Sequence, residues 1–125
     1  MLVLSKSNPD PFYKQIEDQI RTEIMNGRLK SGVRLPSVRA LAEQLNVSVI
    51  TTKRAYADLE SQGIIVTRQG QGTYVAQVEP ERLLVEKVSE IREELFSLLE
   101  RAQEASLLCE EIIAMIREWE AQRDE

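Results

Sequence analysis

The strongest constraint in this sequence is where its chain breakers lie. All five glycines (Gly27, Gly32, Gly63, Gly70 and Gly72) and three of the four prolines fall before residue 73, and the 45 residues after Pro80 contain neither. Glycine and proline end helices and make turns, so a stretch without them, rich in Leu, Ile, Glu and Arg, has one favoured regular conformation, the α-helix. The chain therefore divides into a punctuated front, about residues 10–78, and an all-helical back, about 79–125. Pro80 sits where a first helical turn begins, a position at which its missing N–H costs nothing. A total of 125 residues suits one compact domain plus an appendage.

Charge divides at the same place. Residues 1–78 carry ten Lys and Arg against seven acids, a net +3, whereas residues 79–125 carry six against fourteen, a net −8. A basic front and an acidic back point to a polyanion as partner of the front, although charge alone fits two solvated surfaces equally well. With 42% hydrophobic and 30% charged residues, the chain is charge-rich yet hydrophobic enough to fold. It has no histidine, which removes Ser-His-Asp and Cys-His nucleophile sites, histidine proton shuttles and His-containing zinc sites. The lone Cys109 removes intrachain disulfides and Cys-only metal centres. No enzyme activity, cofactor or metal is expected. Residues 1–10 lack the basic-then-apolar pattern of a secretion signal, and no apolar run approaches the roughly 20 residues that span a bilayer. A cytoplasmic protein with no membrane partner is expected.

Within the front, Phe12, Ile16, Ile20 and Ile24 recur every four residues and predict a helix over about 11–26, stopped at Asn26-Gly27. Leu29, Gly32, Val33 and Leu35 read as a connecting turn. Pro36-Ser37 opens a second helix, about 37–44, with Val38, Leu41, Ala42 and Leu45 as its apolar positions. Asn46-Val47-Ser48 then forms a short turn in which Asn46 tolerates positive φ and Ser48 caps a third helix, about 49–61. Its inward stripe is Thr52, Ala55, Tyr56 and Leu59, which turns Val49, Ile50, Thr51, Lys53 and Arg54 wholly or partly away from the core. The β-branched and aromatic runs 64–67 and 73–76, separated by Arg68-Gln69-Gly70-Gln71-Gly72, predict a hairpin. The fold class is mainly α with a small β-hairpin: a winged helix-turn-helix followed by a short all-helical dimerisation tail.

A short helix, a tight turn and a second helix with a polar, partly basic start is the geometry that carries a helix into the DNA major groove. The hairpin tip strengthens that reading, because Arg68, Gln69 and Gln71 accompany two glycines that let the backbone approach a phosphate or the minor groove. The competing reading is a module that uses the same elements only for protein contacts.

The ordered series Leu35-Pro36-Ser37-Val38-Arg39-Ala40-Leu41-Ala42, Asn46-Val47-Ser48, Arg54-Ala55-Tyr56-Ala57-Asp58-Leu59-Glu60-Ser61-Gln62-Gly63-Ile64 and Gly70-Gln71-Gly72-Thr73-Tyr74-Val75 resembles the DNA-binding domain of GntR-type transcriptional regulators over about residues 10–77. Arg-Ala-Tyr in the third helix and the short helical tail look most like the YtrA subfamily. The resemblance implies a cytoplasmic regulator, a repressor in this reading, that binds a palindromic double-stranded DNA operator as a homodimer. It implies that Arg39 holds a phosphate with Ser37 beside it, that Ser48, Thr51 and Lys53 reach bases and phosphates, and that Gln69, Gly70 and Gln71 form the wing tip. Where many relatives have Arg-Thr or Pro-Asn after the capping residue, this chain has Val49-Ile50. These two either pack on thymine methyl groups or seal the turn against the first helix.

In the tail, Leu84, Val88, Ile91, Leu95, Leu98, Ala102, Ala105, Cys109, Ile112, Ile116 and Trp119 alternate steps of four and three, a heptad-type seam widened by Leu99, Leu108, Ile113 and Met115. The spacing permits one helix of about forty residues, whereas the YtrA resemblance implies two, broken near Ala105-Ser106 and packing between protomers. A tail folded back on its own domain is the alternative. Cys109 lies in the apolar seam with no adjoining base to activate it, Trp119 reads as a core or interface plug, and the tail glutamates read as solvated charge. No small-molecule effector is indicated. If one bound, it would occupy a cleft between tail and winged domain and shift the spacing of the recognition helices.

Overall fold

The computed structural model describes residues 2–123. In chain order the elements are α1 (Phe12–Met25), β1 (Arg34–Leu35), α2 (Val38–Leu45), α3 (Val49–Ser61), β2 (Ile65–Arg68), β3 (Gly72–Val75), α4 (Pro80–Glu104) and α5 (Cys109–Arg123). The chain divides into two compact units, Met1–Val85 and Glu86–Glu125. The division falls inside α4 because Leu83, in its first turn, is buried in the core of the first unit. No helix among the described residues is long and apolar enough to cross a membrane.

The first unit is organised by the four-residue stripe of α1. Ile16, Ile20 and Ile24 pack against Leu41 of α2, Ala55, Tyr56 and Leu59 of α3, and Ile64, Ile65 and Val75 of the hairpin. The predicted inward stripe of α3 is the buried one. Phe12, expected to open the α1 stripe, is only half-buried. The sheet has three strands rather than the two of a bare hairpin. Its order is β1-β3-β2, antiparallel throughout, with Arg34 opposite Tyr74 and Arg68 opposite Gly72. The segment read as a connecting turn thus supplies an edge strand, and Arg68 ends a strand instead of lying in the loop.

Residues before α1 are tied to it by side chains. Buried Gln15 accepts from Ser5 N–H at 2.9 Å and donates to the carbonyls of Ser5 and Asp10 at 3.0 and 2.9 Å. An amide buried with this many partners is satisfied, so hydrogen bonds offset the cost of closing the lead-in segment over Gln15.

The second unit holds the rest of α4, a break at 105–108 and α5. Ser106 takes φ 62°, a left-handed conformation rarely adopted by a residue other than glycine. The tail is therefore two helices, and the continuous-helix option fails at a position the heptad spacing passes straight through.

Candidate nucleic-acid interface

The turn between α2 and α3 is built by local chemistry. Asn46 adopts φ 55° and ψ 49°, and its N–H and that of Val47 close onto Glu43 and Ala42 carbonyls, ending α2. Two residues later Ser48 Oγ accepts from Thr51 N–H at 3.2 Å and starts α3. Ser37 caps α2 in the same way, accepting from Ala40 N–H at 3.0 Å.

Two side chains then set the angle between the helices. Thr52, fully buried, donates its hydroxyl to the Val38 carbonyl at 2.9 Å, and Tyr56 Oη donates to the Pro36 carbonyl at 2.7 Å. Both bonds run from the inner face of α3 to the start of α2. Burial pushes the Tyr56 hydroxyl up to about 12, so it stays a donor across the physiological range.

The outer face of α3 is correspondingly exposed. Ile50 is 80% exposed and Val49 40%, Lys53 is exposed, and Thr51 is half-buried. Ile50 therefore does not seal the turn, while Val49 lies half in and half out. Arg39, in the first turn of α2, is exposed and has no ion pair among the described residues. Ser37 and Ser48 each accept one capping bond, and Ser48 also bonds Thr51 Oγ1 at 2.9 Å. Arg54, also expected among the DNA contacts, is exposed, stacks 3.8 Å over the Tyr13 ring and lies 3.9 Å from Asp58.

The wing loop is held by hydrogen bonds at its tip. Gln71 N–H donates to the Arg68 carbonyl at 2.9 Å around Gly70 at φ 76°, and Tyr74 Oη donates to the Gln71 carbonyl at 3.0 Å. Arg68, Gln69, Gly70 and Gln71 are all exposed at this tip. The β2 end is tied to α3 by Thr67 N–H donating to Glu60 Oε1 at 3.2 Å. One basic residue escaped the sequence reading. Arg34 on β1 is exposed, and its guanidinium lies over Gly72, where an added Cβ would approach Nε to 2.9 Å. Gly72 at φ 117° is thus required for conformation, whereas an added Cβ would displace only the flexible end of Arg34. The only hint in sequence was a basic residue immediately before Leu35-Pro36.

The seam residues of the tail stand open. Leu84, Val88, Ile91, Leu95, Leu98, Ile116 and Trp119 are between 44% and 58% exposed, and Ile112 is half-buried. Between the two tail helices runs an apolar groove of about 310 Å³ walled by Leu95, Leu98, Leu99, Ile112, Ile116 and Trp119 among others. No described residue from 86 onward is buried.

A three-helix unit with a wing, whose third helix shows a polar and basic N-terminal face, defines a winged helix-turn-helix protein. Residues 12–75 match the family described as bacterial regulatory proteins, gntR family. The chain is 34% identical over 118 residues to the HTH-type transcriptional repressor YtrA of Bacillus subtilis (strain 168), covering 94% of this chain and 91% of that protein. A GntR family transcriptional regulator from Listeria monocytogenes has a similar structure at 35% identity and TM-score 0.69, covering 89% of this chain and 96% of that one. AraR(DBD) in complex with operator ORE1 is similar at 33% identity and TM-score 0.52, covering 61% of this chain and 93% of that one. The chain belongs to the GntR family, and within it is YtrA-like.

Proposed function

We propose that this protein is a cytoplasmic, non-enzymatic transcriptional repressor that binds an inverted-repeat operator in double-stranded DNA as a homodimer. The observation that carries the reading is the two-faced α3: Thr52, Ala55, Tyr56 and Leu59 lock one side, while Ser48, Val49, Ile50, Thr51 and Lys53 line the start of the other. In this reading α3 enters the major groove, Arg39 holds a phosphate at the groove edge, and the wing tip Gln69–Gln71 with Arg68 lies on the adjoining backbone. Ile50 packs on a thymine methyl group, which gives specificity without a guanine contact. The similarity to AraR(DBD) in complex with an operator supports the same use of the winged unit.

The homodimer follows from the tail. A pair of helices with no buried residue of its own cannot be stable in water, and apolar patches of this kind mark an interface. A second copy supplies a self-complementary face under two-fold symmetry and places two recognition helices on half-sites about 10 base pairs apart.

Two measurements test this together. Sedimentation should give a dimer, and Trp119→Arg a monomer. Duplex affinity should fall steeply with salt, by about a thousandfold or more between 50 and 200 mM if six or more phosphates are neutralised per dimer. A monomeric wild type, or affinity indifferent to salt, contradicts the reading.

A further inference from the structure

One buried acid has no part in the interface as described. Glu17 of α1 is only 5% exposed, and its Oε2 has no hydrogen-bond partner among the described residues. Its other oxygen faces Arg21 on the next turn at 3.7 Å, too far for a tight pair. Across the helix contact, Asp58 of α3 comes opposite Glu17: Arg21 ties Glu17 to Gln62, one turn beyond Asp58, and Arg54 ties Asp58 to Tyr13, one turn before Glu17. Two ionised carboxylates have no donor between them, so Oε2 is stranded whenever both are charged and gains a partner once one carries a proton.

The groups around the pair do not remove the conflict. On α1, Asp18 adds negative charge, and Arg21 is shared among Glu17, Asp18 at 3.1 Å and Gln62 at the end of α3. On α3, the cation facing Asp58 is Arg54, 3.9 Å away and stacked on Tyr13 of α1. Burial first, then the hydrogen bond to Asp58 and its charge, push the Glu17 carboxyl up to about 7.

We propose that Glu17 and Asp58 share one proton across the α1–α3 contact, and that losing it tightens the grip on Arg54 and weakens duplex binding. The inference rests on the DNA-binding reading above for its consequence, and on the acid pair alone for its cause. With the proton in place, Glu17 donates to Asp58, and Arg54 faces a neutral acid and one carboxylate. Without it, two carboxylates lie in contact behind the recognition helix, Arg54 is drawn inward, and a negative charge is added behind a surface that meets phosphates. Glu17 thereby acts as a positioning residue for Arg54. By reciprocity, bound DNA should in turn raise the affinity of Glu17 for its proton.

The composition makes the test clean. The chain has no histidine, so no imidazole titration overlaps that of the Glu17 carboxyl. The experiment follows the Glu17 side-chain carboxyl by ¹³C NMR in the free full-length protein, and measures affinity for a selected duplex at pH 6 and pH 8 at fixed ionic strength. Wild type and the Glu17→Gln and Asp58→Asn variants are compared. The expected result is a Glu17 midpoint near 7 that drops in Asp58→Asn, and duplex affinity about fivefold weaker at pH 8 than at pH 6, at the low end of usual site–site coupling. Glu17→Gln, an uncharged mimic of the protonated state, should bind at both values as wild type does at pH 6. A Glu17 midpoint in the ordinary carboxylate range overturns the shared proton whatever the DNA result. A midpoint near 7 with equal affinities at both pH values, or a pH dependence retained by Glu17→Gln, overturns the link to Arg54. Absence of duplex binding at either pH refutes the functional reading and the coupling with it, while the carboxyl titration still judges the proton.

Discussion

Tyr56→Phe removes a single oxygen from the joint between the recognition helix and the start of α2. The phenol donates to the Pro36 carbonyl at 2.7 Å, the residue is 4% exposed, and the remaining ring fits the same space. The loss is therefore one hydrogen bond without a cavity, a net cost of about 1 kcal/mol. Pro36 is exposed, and together with Tyr56 it borders an apolar cleft of about 440 Å³, so water can reach the released carbonyl. That keeps the cost well below the roughly 3 kcal/mol of an acceptor sealed from solvent. For a unit the size of Met1–Val85 the same loss should lower the midpoint of unfolding by about 4–8 °C. The lone tryptophan, Trp119, lies in the other unit, so the readout should be amide exchange within α3, which reports local opening directly. The Pro36 carbonyl immediately precedes Ser37 and Arg39, so duplex affinity should fall as well, by less than about tenfold, the equivalent of 1.4 kcal/mol. A stability change within about 0.5 kcal/mol, the scatter of ordinary surface substitutions, would refute the claim that this bond seats the helix. A loss above about 3 kcal/mol would instead mean that the ring had repacked.

Three further outcomes follow from the same structure. Ser106→Gly should stabilise the tail by about 0.5–1 kcal/mol, because Ser106 holds φ 62° between α4 and α5; urea unfolding followed by Trp119 fluorescence reads it. Ser48→Ala should cost about 1 kcal/mol through loss of the α3 cap, measured by amide exchange at Thr51 and Thr52. Glu17 has a carboxyl near 7 in the folded chain against an ordinary 4.5, so its contribution to stability is full below about 4.5 and is lost as pH rises to about 7. Wild type should lose stability relative to Glu17→Gln at up to about 1.4 kcal/mol per pH unit across that window, as denaturant melts at several pH values would show.

Periodicity carried most of the winged unit. Ile16, Ile20 and Ile24 are the buried stripe of α1, and Thr52, Ala55, Tyr56 and Leu59 are that of α3, because helix burial follows local spacing. Asn46 at positive φ and the Ser48 cap were equally legible, since each depends on one residue and its immediate neighbours, whereas Ser37, read as the first residue of the second helix, is its cap. What escaped is non-local. β1 is two residues long and exists by pairing with β3 some forty positions later, which leaves no period to detect. Gln15 and Glu17 look like solvent-facing residues of an amphipathic helix, yet both are buried, Gln15 bonded to the lead-in segment. Arg34 became part of the basic surface through that same strand. The α4–α5 break carries a serine where a glycine would have signalled it, so the apolar spacing runs straight through the bend and the resemblance alone places it near Ala105-Ser106. At Ile50, local pattern left two options that differ in what covers the side chain, and its 80% exposure removes the turn-sealing one.

The central claim is that exposed residues of α2, α3 and the wing read DNA sequence, with Arg39 anchoring the contact. Selection of bound duplexes from a random pool, at two salt concentrations and beside the Arg39→Ala protein, tests it most directly. The account predicts enrichment of an inverted repeat with thymines opposite Val49-Ile50, lost in Arg39→Ala and weakened by salt. Binding without enrichment, or an Arg39→Ala protein that selects the same sites as well as wild type, would contradict it.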